Sequence, residues 1–334
     1  MTTAVVLVLT VFLAAANGSN DVPKGVATLA GAGVTKYRTA IVWGTCTTLV
    51  GCLFSLWLAA KMTALFSNGI ITAQPTATFA VAVLLGTACW VALATVLRLP
   101  VSTTHALVGA LIGAGILHAA DSVRWSALLP KVVQPLLLSI VVAYGLSVLL
   151  ASAVRALKRR TRNEGPGAAT AGSIRTGRLS SERIVGGLHW VTSGLACLAR
   201  GLNDTPKIVA VGAFALVPAG FAAWQILLLV TAAMAAGSLV AGTRVAERLA
   251  KDVVRMSHHE GFTANLTTAT LVGLGAWAGL PMSTTQVSTG AIAGSAGLAV
   301  GRINVKTLRQ FAIAWLVTPP FAGLVAAGTF LLLR

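Results

Sequence analysis

The sequence predicts an all-α, polytopic membrane protein made of two inverted-topology repeats, with broken or re-entrant helices at duplicated motifs. Three observations carry this. The 334 residues are 56% hydrophobic and only 10% charged, with a mean hydropathy of +0.84, whereas a soluble domain carries about 25% charged residues. Apolar stretches long enough to cross a bilayer, about 20 residues, recur along the whole chain. Two polar motifs each occur twice, in the same order and at nearly the same spacing. Lys and Arg number 25 against 8 Asp and Glu, a net charge of +17. On a chain so poor in polar surface that excess reads as an orientation signal, and a nucleic-acid partner is excluded. Composition also excludes secreted disulfide-built and disordered classes.

Ten stretches are expected to be helical, at roughly 4–34, 38–60, 77–97, 100–119, 126–152, 184–218, 222–243, 262–280, 282–301 and 309–333. Met1-Thr2-Thr3 lacks the positive n-region of a signal peptide, so Ala14-Ala15-Ala16 is read as part of the mature chain. The first and sixth stretches are long and interrupted by polar patches, and each is expected to be a broken helix or a pair of short ones. Cys46, Cys52, Cys89 and Cys197 form no CxxC pair and are expected to be buried small side chains. From Arg155 to Arg183 the chain turns polar, with eight basic residues around Gly165-Pro166-Gly167. This reads as a flexible cytoplasmic linker. It divides the chain into a first membrane repeat (1–154), the basic linker (155–183) and a second membrane repeat (184–334).

The repeats show in the motifs. Asn20-Asp21-Val22-Pro23-Lys24 returns as Asn203-Asp204-Thr205-Pro206-Lys207, 183 residues on. Pro100-Val101-Ser102-Thr103-Thr104 returns as Pro281-Met282-Ser283-Thr284-Thr285, 181 residues on. If each half crosses the membrane five times, an odd number, the second half enters from the opposite side, which is the plan of many secondary transporters. One re-entrant segment per half would reverse the parity and two would keep it. A cytoplasmic linker puts Lys36, Arg38, Arg98, Arg244, Arg248, Lys251, Arg255, Arg302, Lys306 and Arg309 on its own side. Only Lys61, Arg124, Lys131 and Arg334 then lie opposite. By the positive-inside rule both termini are expected outside.

Charge at membrane depth is functional by default. Asp21, Lys24, Arg200, Asp204 and Lys207 fall inside the apolar stretches, with a net charge of +1. Each Asp has a Lys three residues later, on the same helix face; mere self-neutralisation does not explain why the pair is kept twice beside Asn20 and Asn203. Pro-x-Ser-Thr-Thr is a helix start with hydroxyl caps, and a helix N-terminus is a ready anion site. Two such starts brought together would grip one tetrahedral oxyanion from both sides. Gly109 and Gly113, matched by Gly290 and Gly294, have the spacing of close helix contacts. His105, where the second copy has Gln286, reads as a packing residue with the option of a proton relay. His258-His259-Glu260 is assigned no site, no metal cluster is expected, and no nucleophile–base pair suggests an enzyme.

At these motifs the chain resembles the PiT family of inorganic phosphate transporters. Gly18 to Lys24 and Gly201 to Lys207 match its duplicated GANDVANA-type motif, and Pro100 to His105 and Pro281 to Gln286 its duplicated PVSTTH motif. The resemblance implies an ion-coupled phosphate symporter working by alternating access, without an organic cofactor, in the plasma membrane and plausible as a homodimer. It implies substrate contacts from Asp21, Ser102, Thr103, Thr104, Asp204, Ser283, Thr284 and Thr285, to which the residues add Arg200. Asn20, Lys24, Asn203 and Lys207 are expected to serve the coupling ion or compensate charge. Lys24 and Lys207 depart from the family pattern, which has Asn there. An ammonium in that place replaces a bound sodium, so H+ is favoured over Na+ as the coupling ion. Two alternatives stay open: a permease for sulfate or another tetrahedral oxyanion, and an anion channel or membrane sensor.

Overall fold

The computed structural model describes residues 2–163, 171–297 and 299–334, with side chains at 120, 158–163 and 171–183 excepted. Ten long helices follow the ten apolar stretches. They are α1 (Thr2–Gly31), α2 (Tyr37–Leu58), α3 (Ala77–Val96), α4 (Thr103–His118) and α5 (Gln134–Asn163) in the first half. The second half has α6 (Ala171–Leu216), α7 (Ala223–Asp252), α8 (His258–Ala278), α9 (Thr284–Ser295) and α10 (Val305–Leu333). In hydrocarbon every backbone polar group must be satisfied within the chain, which is why apolar segments of this length become helices. Among the described residues six helical segments, α3 included, are long and apolar enough to cross a membrane. The polar tract between the halves is taken up by the end of α5 and the start of α6; Gly165-Pro166-Gly167 lies outside the described residues.

The expected breaks in the first and sixth stretches do not occur. Both α1 and α6 run unbroken through Pro23 and Pro206, although an interior proline removes one helix hydrogen bond. The polar patches that suggested a break find side-chain partners on neighbouring helices, so the backbone need not open. The chain is interrupted instead at the two Ser-Thr-Thr motifs. The helices that follow them, α4 and α9, have 16 and 12 residues, about 24 and 18 Å at 1.5 Å per residue and short of the roughly 30 Å hydrocarbon core.

Each of these helices returns alongside the one before it. The segments that flank hairpin α3–α4 meet at its open end, where Thr72 N donates to Ser122 O at 2.9 Å and Arg124 N to Ile70 O at 3.0 Å. Those that flank α8–α9 meet likewise: Asn304 N donates to Val253 O at 3.0 Å, and Arg302 Nη1 donates to Glu260 Oε1 at 2.6 Å.

The two hairpins turn alike. Arg98 at φ 58° and Gly279 at φ 75° are both left-handed and 181 residues apart, so Arg98, expected in a loop on the side of the linker, sits instead at a hairpin tip, because Leu99 and Val101 beside it bond to Asn20 of α1. Leu99 N bonds to Ala94 O and Leu280 N to Gly275 O, each at 2.8 Å, the Schellman closure of a helix end. Ser102 and Ser283 then cap the next helix, accepting from His105 N at 3.3 Å and Gln286 N at 3.2 Å.

Contacts between the halves come in matched pairs. A Cβ on Gly18 would overlap the Met234 carbonyl, and one on Gly201 the Thr48 carbonyl; Gly237 and Gly51 stand likewise against Ala15 and Leu198. Gly109 and Gly113 of α4 lie against Pro319 and Gly323 of α10, and Gly290 and Gly294 of α9 against Ile140 and Tyr144 of α5. Each hairpin therefore leans on the last helix of the other half. Helices α1 and α6 run antiparallel in contact, with Ser193 Oγ donating to Gly25 O at 2.7 Å and Arg200 Nη1 to Asn17 Oδ1 at 3.0 Å. Of the cysteines, Cys52 and Cys197 are buried, but Cys46 is exposed and Cys89 half-buried. An outward thiol is no liability against apolar lipid, so burial in an apolar stretch was too strong an expectation.

Candidate functional site

The two hairpin tips meet between α1 and α6, and the duplicated asparagines hold them there. Asn20 Nδ2 donates to Thr95 Oγ1 and to Leu99 O, both at 3.0 Å, while its Oδ1 accepts from Val101 N at 3.1 Å. Asn203 grips the other tip in the same way, donating to Met282 O at 3.0 Å and accepting from Met282 N at 3.3 Å. The tips are then bonded to each other. Thr104 Oγ1 donates to Met282 O at 3.5 Å and Thr285 Oγ1 to Val101 O at 2.6 Å. Each second threonine reaches the carbonyl that follows the proline of the opposite tip.

Five charges lie beneath the tips. Asp21 and Lys24 are ion-paired, and Lys24 Nζ also donates to Val101 O at 2.7 Å. Lys207 Nζ lies 3.4 Å from Asp204 Oδ1 and donates to Thr104 Oγ1 at 2.6 Å. Both self-pairs therefore form, and both ammonium groups also reach the tip of the first hairpin. Arg200 Nη1 is 3.7 Å from Asp204 Oδ2. Burying charge is expensive unless it is paired and hydrogen-bonded; here each carboxylate faces a cation and the balance remains +1.

All thirteen residues singled out in the sequence come together in this cluster, none more than 5% exposed. The threonines and serines are used differently from one another. Ser102 and Ser283 cap helices, Thr103 Oγ1 donates to Asp21 Oδ2 at 3.0 Å, and Thr104 and Thr285 stitch the tips. Of the six hydroxyls expected to serve an anion, Thr103, Thr104 and Thr285 already donate within the protein, while Ser102 and Ser283 accept from backbone. The amides of Asn20 and Asn203 bond to hairpin backbone, and Asn203 Nδ2 also donates to Asp204 Oδ1 at 2.8 Å.

Asn17 was missed as part of the site. Its Nδ2 lies 2.5 Å from Asp21 Oδ2, 3.0 Å from Thr103 Oγ1 and 3.5 Å from Asp204 Oδ2. The signal was available, since position 17 is one helical turn before Asp21 and stands where the second half has Arg200. The soft patch under Arg200 left no such signal: Thr205 Oγ1 donates to Cys52 Sγ at 3.0 Å, and Cys52 Sγ is 3.8 Å from Met234 Sδ. His105 is buried, with no hydrogen-bond partner for Nδ1, and Gln286 accepts from Ser139 Oγ at 3.3 Å. Glu260 closes a capping box on Ser257. Among the described residues no group of three or more His, Cys, Asp or Glu is placed to hold a metal ion.

Comparison with known proteins agrees with the motifs. The model of the phosphate transporter family matches residues 17–326. A probable low-affinity inorganic phosphate transporter of Mycobacterium bovis is 31% identical over 327 residues, covering 94% of this chain and 73% of the relative. One of the same description from Rhizobium meliloti is 27% identical and covers 93% and 90%. A solved structure titled "The sodium-dependent phosphate transporter" superposes with a TM-score of 0.84 at 22% identity over 99% of this chain and 98% of that one, a likeness of fold. The family and these relatives are transporters and not enzymes, and with its long apolar helices this chain is an integral membrane protein. The chain belongs to the phosphate transporter family.

Proposed function

We propose that this membrane protein carries inorganic phosphate by alternating access between two inverted halves, with H+ as the coupling ion. The observation that carries the reading is the junction of two hairpin tips, bonded reciprocally through Thr104 and Thr285, over buried charges summing to +1. An oxyanion entering there exchanges the tip-to-tip bonds for its own. Thr103, Thr104, Thr284, Thr285 and the helix starts capped by Ser102 and Ser283 supply donors. Arg200 supplies charge, and Asp21 or Asp204 accepts the proton that phosphate still carries. Sulfate has no such proton, so a carboxylate facing it repels; this disfavours the sulfate alternative. A channel is disfavoured by the burial of every motif residue, which requires the tips to part before an ion can pass.

The lysines support a sodium-independent mechanism. Lys24 Nζ is surrounded by carboxylate and carbonyl oxygens and Lys207 Nζ by carboxylate and hydroxyl oxygens. Hard cations take the same donors, so each ammonium fills a place suited to a metal cation. The positive-inside rule orients the polar tract between the halves to the cytoplasm and both termini outside. A plasma-membrane location and a homodimer follow from family resemblance. Uptake of labelled phosphate into proteoliposomes tests the reading, with sulfate and arsenate as competitors and with sodium and pH varied separately. Saturable, counterflow-competent uptake without sodium, driven by an inward proton gradient, is expected. Strict sodium dependence sinks the coupling assignment, and stronger competition by sulfate than by unlabelled phosphate sinks the substrate.

A further inference from the structure

Asn17 and Arg200 are equivalent positions of the two halves, 183 residues apart like Asn20 and Asn203. They also touch, Arg200 Nη1 donating to Asn17 Oδ1 at 3.0 Å. Two residues related by a two-fold meet only where the axis passes between them, so this pair straddles the pseudo-axis that exchanges α1 and α6. The position has an electrostatic consequence. The duplicated motif gives each half one Asp and one Lys, and two such halves sum to zero. An odd charge at the site requires a place where the halves differ. Two arginines on the axis would put two guanidinium groups in contact, and two asparagines would leave no excess charge.

Asn17 does more than accept from Arg200. Its single amide nitrogen faces Asp21, Thr103 and Asp204, so the carboxylates of both halves share it. The arginine is the less satisfied partner. A guanidinium presents five N–H donors, yet Arg200 Nε is buried without a hydrogen-bond partner and Nη2 reaches only the Met234 thioether at 3.9 Å. An unmet donor on a charge that is 2% exposed points to an oxyanion, which a planar fork binds well.

We propose that Asn17 is a positioning residue for transport. It holds Arg200, the uncompensated cation, on the pseudo-axis, and leaves the Nε edge of the guanidinium for the anion. Positions 17 and 200 are therefore interchangeable. The proposal rests on the reading of two inverted halves that bind phosphate.

The test compares Asn17→Ala, Asn17→Arg, Arg200→Asn and the double variant Asn17→Arg/Arg200→Asn in full-length protein. Phosphate uptake kinetics and thermal unfolding in detergent are both measured. Loss of a hydrogen bond to a charged group is expected to raise KM about tenfold in Asn17→Ala, with a smaller change in Vmax. Arg200→Asn and Asn17→Arg should each lower Vmax/KM by about tenfold or more, and the double variant should recover to within about threefold of wild type. A purely structural asparagine would lower the amount of folded protein and leave KM alone. A double variant no better than the worse single, or wild-type KM in Asn17→Ala, overturns the proposal. If wild-type protein takes up no phosphate the functional reading fails separately, and unfolding still decides the exchange. A double variant near wild type with both singles lower supports it; a double variant lowest of all overturns it.

Discussion

Replacing Asn20 by alanine tests whether that side chain serves the hairpin or an ion. Asn20 is fully buried and makes three hydrogen bonds to hairpin α3–α4, two of them to backbone, at Leu99 O and Val101 N. Thr95 keeps a bond to Val91 O at 2.8 Å without it, so its loss adds little. The two backbone groups are left in a layer without water, at about 1–3 kcal/mol each, or roughly 2–6 kcal/mol in all. In Asn203→Ala, Met282 O still accepts from Thr104, but Met282 N is orphaned and the buried Asp204 carboxylate loses a bond at 2.8 Å, at about 1–3 kcal/mol each. Purified variants are unfolded thermally in detergent and assayed for phosphate uptake. With about 2–4 °C per kcal/mol in folded domains of 150–250 residues as a guide, Asn20→Ala and Asn203→Ala should each melt several degrees below wild type. Uptake by Asn20→Ala should fall in Vmax at every sodium concentration and pH. Unfolding unchanged in Asn20→Ala would refute the clasp. Wild-type stability with altered ion dependence would return the amide to ion binding.

Asp21→Asn and Asp204→Asn each strand a buried cation, for which about 3–5 kcal/mol is typical, and each should nearly abolish uptake; wild-type uptake in either removes that carboxylate from the site. Arg98 is left-handed where the second hairpin has Gly279, so Arg98→Gly should relieve about 1 kcal/mol of backbone strain and raise the unfolding temperature without altering KM, while a fall in that temperature would count against the strain. Glu260 answers to pH. Burial tends to raise its carboxyl, but the Arg302 guanidinium and the Ser257 amide and hydroxyl outweigh that and hold it below the usual carboxylate range. Its stabilisation is complete above the unfolded pKa of about 4.3 and is lost as pH falls through the lower folded value. Glu260→Gln should therefore destabilise by about 1 kcal/mol at pH 7, screened because Arg302 is 44% exposed, and by progressively less as the pH is lowered through the folded value; a loss that does not change with pH would show that charge is not involved.

The crossing helices and the membership of the site were legible because hydrocarbon leaves few solutions. Apolar stretches must be helices, and charges such as Asp21 and Lys207 at that depth must face one another. The position of the breaks was harder. Pro23 and Pro206 beside polar residues look like interruptions, yet Asn20 and Asn203 bond to hairpins eighty residues away, and no local rule reveals such partners. The shortness of α9 was hidden by apolar residues that run on to position 300. The roles of individual hydroxyls also depend on what lies opposite. Thr103 and Thr104 are neighbours of one type, and one bonds to a carboxylate on α1 while the other bonds to a carbonyl of the second tip. Asn17 could have been found by asking which residues face Asp21 one turn away.

The exchange of supports between halves bears on how the chain assembles. Hairpin α3–α4 leans on α10, the last of the ten helices to be synthesised, so some two hundred residues must follow it before its packing face is covered. Until then the glycine stripe of Gly109 and Gly113 has no groove to fill, and the first tip has no second tip to bond. A biosynthetic intermediate cut short before residue 305 would hold hairpin α8–α9 against α5, while hairpin α3–α4 would keep its clasp to Asn20 of α1 but leave the face of Gly109 and Gly113 bare.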